Sequence, residues 1–145
     1  MEKNKLEQYT ALVKEVPMLN RKLDRLYEKK QTIPTVRGKV QASSREFPYI
    51  ETHVEVLMDE PKEAERIMEQ IQINEKRLEQ AEMLKAEIEM FIADIEDAKD
   101  RLIFECVYLK GMKMKEVAAM LGYSKGRVSQ RISKTLESLN RLNQV

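Results

Sequence analysis

The chain has 145 residues and a net charge of +1, with 35% charged and 6% aromatic residues. This composition suits elongated helices better than a large globular core, and the length allows one domain or two small ones. With one cysteine, Cys106, and one histidine, His53, the sequence excludes an intramolecular disulfide and offers no ligand cluster for zinc, so we expect neither a metal nor a cofactor.

The charges are distributed unevenly along the chain. Residues 99–145 contain ten Lys or Arg against four Asp or Glu, whereas residues 59–98 contain five against thirteen. A basic end joined to an acidic middle is expected when only that end meets the phosphates of a nucleic acid. The chain has no apolar run long enough to cross a membrane and no signal-peptide core, so we expect a cytoplasmic protein without a membrane partner.

The first predicted element is a helix from Glu2 to Gln31. Its apolar residues recur at three- and four-residue spacing in two stripes: Leu6, Tyr9, Val13 and Val16, then Leu19, Leu23, Leu26 and Tyr27. Pro17 lies between the stripes and removes one backbone donor, so we expect a kink or two abutting helices at this point.

Residues 32–60 interrupt the helical pattern with prolines, a glycine and the pair Ser43-Ser44. Between Ile50 and Val56, apolar and polar residues alternate with a period of two, which is typical of a strand. The nearest partner is the stretch from Val36 to Gln41. The sequence therefore predicts a short β-hairpin in the middle of the chain.

A long acidic helix is predicted from Glu60 to Lys110, with Pro61 in its first turn and a break near Ala98. Its apolar seam has the spacing of a coiled coil, with Asn74 as a polar residue that would fix the register. The seam consists of Ile67, Ile71, Asn74, Leu78, Ala81, Leu84, Ile88, Phe91, Ile95, Ala98 and Leu102. A single helix cannot cover this seam. The covering partner is either the chain's own stripe from Leu6 to Leu26 or a second copy, and we favour a homodimer through the 59–98 helix.

The segment from Lys113 to Leu139 contains two short helical patterns, predicted at Met114–Leu121 and Lys125–Leu142. Gly122 can end the first helix in a left-handed conformation, and the Ser124 hydroxyl can cap the second. The apolar residues of the two patterns face each other. Helix, tight turn with glycine and helix is the arrangement of a DNA-binding helix-turn-helix.

The face of the second helix opposite Val128 carries residue types that suit a DNA groove. Arg pairs with guanine, Gln with adenine, and Lys neutralises phosphate. The candidate DNA-binding residues are Lys125, Gly126, Arg127, Ser129, Gln130, Ser133 and Lys134. The alternative interpretation of this face is an ordinary solvent-exposed surface on a helical hairpin.

The sequence GMKMKEVAAMLGYSKGRVSQRISKTLESL resembles the C-terminal helix-turn-helix of bacterial sigma-70-type factors, their region 4. By position, Lys125, Arg127 and Gln130 match residues that such domains present to the promoter major groove. Two departures stand out. Gly126 stands where such domains usually carry an acidic residue that contacts the bases, which implies a different base preference. Lys113 stands where a Ser or Thr cap often opens the first helix.

The stretch SSREFPYI resembles a segment of phage regulators of the ArpU/RinA type, which place it upstream of a sigma-like helix-turn-helix. Together the resemblances imply a phage or prophage late-gene regulator in the bacterial cytoplasm, which binds double-stranded promoter DNA and has host RNA polymerase as a further partner. The alternative is a structural or DNA-packaging protein like a terminase small subunit. An enzyme has little support, because no phosphate loop, nucleophile elbow or metal-spaced ligand set is present.

These observations predict a mainly α protein in three parts. Residues 1–58 form a helical segment followed by the hairpin, residues 59–98 form the long acidic helix, and residues 99–145 form the DNA-binding domain.

Overall fold

A computed structural model describes the backbone of residues 1–43 and 50–143 and the side chains of residues 1–32 and 62–142. All regular elements of this backbone are helices: α1 (Lys3–Glu7), α2 (Tyr9–Ser43), α3 (Ile50–Ala93), α4 (Ala98–Phe104), a π-helical turn (Glu105–Leu109), α5 (Met114–Leu121) and α6 (Lys125–Asn143). The predicted mainly α fold, with a long helix leading to a helix-turn-helix, is confirmed. Within the described ranges, no helix is long and apolar enough to cross a membrane.

The chain divides into two compact units, Val16–Gln80 and Met1–Glu15 with Ala81–Val145. In Val16–Gln80, Leu23 of α2 forms a small apolar cluster with Ile67 and Ile71 of α3, flanked by the half-buried Leu26, Met68 and Leu78. Asn74 of α3 is 1% exposed, and its side-chain amide donates to the Gln70 carbonyl oxygen at 2.7 Å. One narrow apolar stripe therefore holds α2 and α3 together in this unit.

The other unit has a larger core, centred on α3, α4 and the π-helical turn. Phe104 is fully buried, with its ring centroid 6.4 Å from that of Phe91 and 5.5 Å from that of Tyr108. The Tyr9 hydroxyl of α2 donates to a Glu89 carboxylate oxygen of α3 at 2.8 Å. Aromatic packing and side-chain hydrogen bonds thus add to the aliphatic core of this unit.

The break predicted near Ala98 is confirmed. α3 ends at Ala93, and Asp97 caps α4, its carboxylate accepting the backbone N–H groups of Lys99 and Asp100 at 2.9 and 3.0 Å. After α4 the helix widens to a π-helical turn, in which the Lys110 N–H donates to the Glu105 carbonyl oxygen at 2.9 Å. The buried thiol of Cys106 lies in this turn.

The predicted β-hairpin is wrong. Residues 36–41 belong to α2 and residues 50–56 to α3, which begins at Ile50 instead of Glu60. Ile50, Val54 and Met58 also have helical spacing, and extending an existing helix costs far less than nucleating an isolated two-stranded hairpin. The Ser-Ser…Phe-Pro-Tyr element of the ArpU/RinA resemblance covers residues 43–49, and all of these except Ser43 lie outside the described residues.

Of the two outcomes predicted at Pro17, two abutting helices are wrong, because α2 continues through this residue, and a kink stays a prediction. The interruption lies instead at Gln8, whose N–H donates to the Lys5 carbonyl oxygen in a tightened last turn of α1. Pro17 removes only one hydrogen bond, and the buried side chains Leu12 and Leu19 on either side support the helix. Leu12 also takes the core position that the sequence assigned to Val13, which is 44% exposed.

Six positions of the predicted seam are buried within the single chain: Ile67, Ile71, Asn74, Ala81, Ile88 and Ile95. Leu78, Leu84 and Phe91 are half-buried, whereas Ala98 and Leu102 are exposed. In Val16–Gln80 the covering residues include Leu23, which belongs to the chain's own stripe. The intramolecular pairing that the sequence left open therefore exists, and the homodimer stays a prediction.

Candidate nucleic-acid interface

The turn between α5 and α6 is closed by Gly122 and Ser124, as predicted. Gly122 has φ +72°, and its N–H and that of Tyr123 both donate to the Ala118 carbonyl oxygen. The Ser124 hydroxyl then accepts the Arg127 N–H at 3.2 Å and caps α6. Local hydrogen bonds on both sides of the turn thus fix the angle at which α6 leaves α5.

The inner face of α6 packs into the domain core. Val128 and Ile132 are at most 1% exposed, and Val117 and Ala118 of α5 are also buried. α6 contacts α4 as well as α5. The helix is therefore held from two sides along one apolar stripe, and its opposite face is left to the solvent.

Most of the candidate DNA-binding residues are exposed in the structure. Ser129 is half-buried, and the other six are exposed: Lys125, Gly126, Arg127, Gln130, Ser133 and Lys134. Their exposure makes these side chains available to a macromolecule, and the choice of residues remains a prediction. Gly126 has open space where a Cβ would stand, so the structure gives no packing reason for a glycine there.

Tyr123, in the turn, contacts two arginines of α6. The Arg127 Cζ lies 4.7 Å from the centroid of the Tyr123 ring, and the Arg131 Cζ lies 5.8 Å from it. Both distances are within the limit of about 6 Å for a cation–π interaction. The two guanidinium groups therefore share one aromatic ring at the start of α6.

Arg131 is also tied to α4 by carboxylates. Its Nε donates to Asp100 Oδ1 at 2.8 Å, and its Nη2 lies 3.6 Å from Asp97 Oδ1. The hydrogen bond with Asp100 raises the pKa of Arg131 above its usual value. The N–H groups of Asp100 and Lys99, assisted by Arg131, lower the pKa of Asp97. Arg131 thus links α6 to the start of α4, and its guanidinium is already paired with carboxylates.

In a comparison with known protein families, residues 97–141 match the family Sigma-70, region 4. These residues form a sigma-70 region 4-like helix-turn-helix domain. Searches of curated proteins and of solved structures each gave no match to this chain.

The matched family, Sigma-70, region 4, is one of DNA-binding regulatory domains and not an enzymatic family. The resemblance seen in the sequence is confirmed for this part of the chain. The departure at Lys113 has a structural counterpart, because α5 begins there without a side-chain cap. In the described part of the chain, no group of His, Cys, Asp or Glu residues could hold a metal ion.

Sequence reasoning missed two residues of the region 4-like domain, Tyr123 and Arg131. Tyr123, Arg127 and Arg131 follow one another at four-residue intervals, a spacing that brings side chains together on a helix. From Arg127 to Arg131 this spacing lies within the predicted helix and indicates neighbouring side chains. Tyr123 lies before the cap of α6, so the same spacing does not indicate that it contacts Arg127. The pairing of Arg131 with Asp100 joins residues 31 positions apart, so no local pattern indicates it.

Proposed function

We propose that this protein is a sequence-specific DNA-binding transcription regulator that acts on promoter DNA in the bacterial cytoplasm. The observation that carries the proposal is the division of α6 into two faces. Val128 and Ile132 fix one face in the core of a region 4-like domain, while Arg127 and Gln130 are exposed on the other and Lys125 is exposed at the N-terminal end of α6.

The exposed face supplies the chemistry for reading a duplex. The Gln130 amide can donate to and accept from an adenine edge, and the Arg127 guanidinium can donate to guanine or to a phosphate next to it. Lys134 lies one turn further along α6, where a straight helix leaves the DNA groove and approaches the phosphate backbone of the DNA. We therefore propose base readout for Gln130 and Arg127, and a phosphate contact for Lys134.

A pair of alanine variants tests this division. Gln130→Ala should reduce the preference for one base position, because a base contact discriminates by about 1–3 kcal/mol, and should leave non-specific binding nearly unchanged. Lys134→Ala should weaken binding to all sequences and reduce the slope of log affinity against log salt by about one. Affinities for preferred and scrambled duplexes across a salt series measure both effects.

Each outcome of this test has a defined meaning. If Gln130→Ala weakens both duplexes equally, α6 does not read bases through that residue. If neither variant changes binding, the face is the solvent-exposed surface of the alternative interpretation. If wild-type protein binds DNA without any preference, a packaging role fits better than promoter control.

We further propose that the regulated genes are late genes of a phage or prophage, and that host RNA polymerase is contacted. The match to Sigma-70, region 4 supports the contact with polymerase, and the SSREFPYI resemblance supports the phage context. Transcription from the preferred sequence with purified polymerase should change when the protein is added. An unchanged transcript level would contradict control at the promoter.

The homodimer through the 59–98 helix is also a proposal. Its support is that helix-turn-helix proteins commonly bind two half-sites as dimers. Sedimentation equilibrium at micromolar concentration should give a dimer mass. A monomer would leave the intramolecular pairing as the whole explanation of the seam.

A further inference from the structure

We infer that Tyr123 is a specificity-determining residue, which positions Arg127 for contact with a base edge. The inference rests on the proposed function and goes further. It assigns part of the discrimination between base pairs to an aromatic side chain that does not itself contact a base. Tyr123 would act through Arg127, so it is a positioning residue.

The first observation is that the backbone of Tyr123, which carries the ring, is held on both sides. Tyr123 lies between Gly122, which has a left-handed backbone, and Ser124, which caps α6. The Tyr123 N–H donates to the Ala118 carbonyl oxygen at 2.9 Å. The backbone that carries the ring is therefore tied to α5 on one side and followed directly by α6 on the other.

The second observation distinguishes the two arginines beside the ring. Arg131 is half-buried and hydrogen-bonded to Asp100 at 2.8 Å, so its guanidinium is already engaged. Arg127 is exposed, and no carboxylate among the described residues pairs with it. Its guanidinium lies over the ring at 4.7 Å. Of the two, Arg127 is thus the side chain that can turn its donors to a partner.

A cation–π contact suits a reading arginine. The contact uses the face of the ring, and the guanidinium keeps its N–H groups for hydrogen bonds with guanine. An arginine loses rotamer freedom when it binds a base edge, and a ring that already restricts the side chain reduces that loss. The strength of an exposed cation–π contact limits this gain in affinity to roughly two- to fivefold at most.

The test is a double-mutant cycle on the full chain with Tyr123→Leu, Tyr123→Phe and Arg127→Ala. For each protein, affinity is measured for the preferred duplex and for the duplex changed at the base pair that Arg127→Ala identifies. Tyr123→Leu should reduce this affinity ratio by at most roughly fivefold, the limit set by the strength of one exposed cation–π contact. Tyr123→Phe keeps the ring and should preserve the ratio. In the Arg127→Ala background, Tyr123→Leu should have no further effect.

Three results would overturn the inference: an unchanged ratio in Tyr123→Leu, an equal loss in Tyr123→Phe, or an undiminished loss in the Arg127→Ala background. Both affinities of a ratio are measured on one preparation, so inactive protein affects them equally and does not change the ratio. If Tyr123→Leu does not fold, Tyr123→Met takes its place. Wild-type protein without sequence preference would refute the proposed function itself. Wild-type preference that does not depend on Tyr123 would refute only the inference.

Discussion

The unit Val16–Gln80 and the region 4-like domain at 97–141 are both helical where described, and different contacts hold them. In Val16–Gln80, a cluster around Leu23, Ile67 and Ile71 joins two long helices, with a buried Asn74 beside it. In the region 4-like domain, helices are fixed by caps, by the tilted ring contact of Phe104 with Tyr108 and by the pairing of Arg131 with Asp100.

The difference follows from what each part has to do. Two long paired helices repeat one kind of contact, so each contact can be weak and the helices still stay together. A helix that reads DNA, as we propose for α6, needs one orientation, and contacts of different chemistry, placed on different sides, determine that orientation better than a single stripe does. Variants that remove one contact at a time should therefore affect the two regions differently.

The largest expected effect is from Phe104→Ala. Phe104 is fully buried between Phe91 and Tyr108, so its removal should lower the free energy of unfolding by about 3–5 kcal/mol and abolish DNA binding. Urea unfolding followed by circular dichroism, together with DNA affinity, measures both effects. Leu23→Ala is the matched control in Val16–Gln80. It should cost about 2–3 kcal/mol and leave DNA affinity nearly unchanged. Equal loss of DNA binding in both variants would show that the two regions do not act separately.

A smaller effect of opposite sign is expected from Asn74→Leu. Burial of the Asn74 amide leaves it one hydrogen bond to Gln70, so an apolar side chain of the same branched shape should raise the free energy of unfolding by about 1 kcal/mol. Thermal and urea unfolding give the value. Gln72→Leu changes an exposed amide of the same helix and should have an effect within about 0.5 kcal/mol. A less stable Asn74→Leu protein would mean that the hydrogen bond of the amide stabilises the fold by more than the burial of the amide costs.

A loss of stability at alkaline pH is expected in the unit that contains the region 4-like domain. Burial, assisted by the hydrogen bond to Glu89, raises the pKa of Tyr9 from 10.0 to about 12, and burial raises that of Tyr108 to about 12. Because the folded state favours the neutral phenols, this contribution to stability is complete below pH 10.0 and is lost as the pH rises toward about 12.

The measurement is the urea midpoint across this pH range, with phenolate absorbance as the second signal. A Tyr9→Phe, Tyr108→Phe double variant should lose stability less steeply than the wild type. An identical pH profile in both proteins would contradict the assignment to these two hydroxyl groups.

The smallest effect is expected at Asp97. Hydrogen bonds from the N–H groups of Asp100 and Lys99 hold its pKa below the usual 3.8, so its contribution to stability is present above that pH and is lost as the pH falls further. Asp97→Ala should lower the urea midpoint slightly at neutral pH, and the difference should vanish in acid. Asp94→Ala, another exposed carboxylate of the same segment, is the control. A difference that persists in acid would point to a role other than the charge.

The helices of the DNA-binding motif could be predicted from sequence because their signals are local. Gly122 and Ser124 lie within three residues of each other, and the observed α5 and the start of α6 agree with the predicted bounds. The partner of the long seam could not be predicted. Whether Ile67 packs against Leu23 or against a second copy depends on residues far apart in sequence, and both choices satisfy the same spacing. The start of α3 was missed because period-two alternation around Val54 overlaps with helical spacing.

The buried thiol of Cys106 gives the protein a built-in reporter. It is the only cysteine of the chain, it is 1% exposed, and it lies in the π-helical turn next to Phe104. A colourless disulfide reagent that releases a coloured thiol can react with it only when this turn opens, so the rate of colour formation measures the free energy of local opening. DNA bound to the closed form should slow the reaction in proportion to its concentration above the Kd. Binding could thus be followed on unlabelled protein.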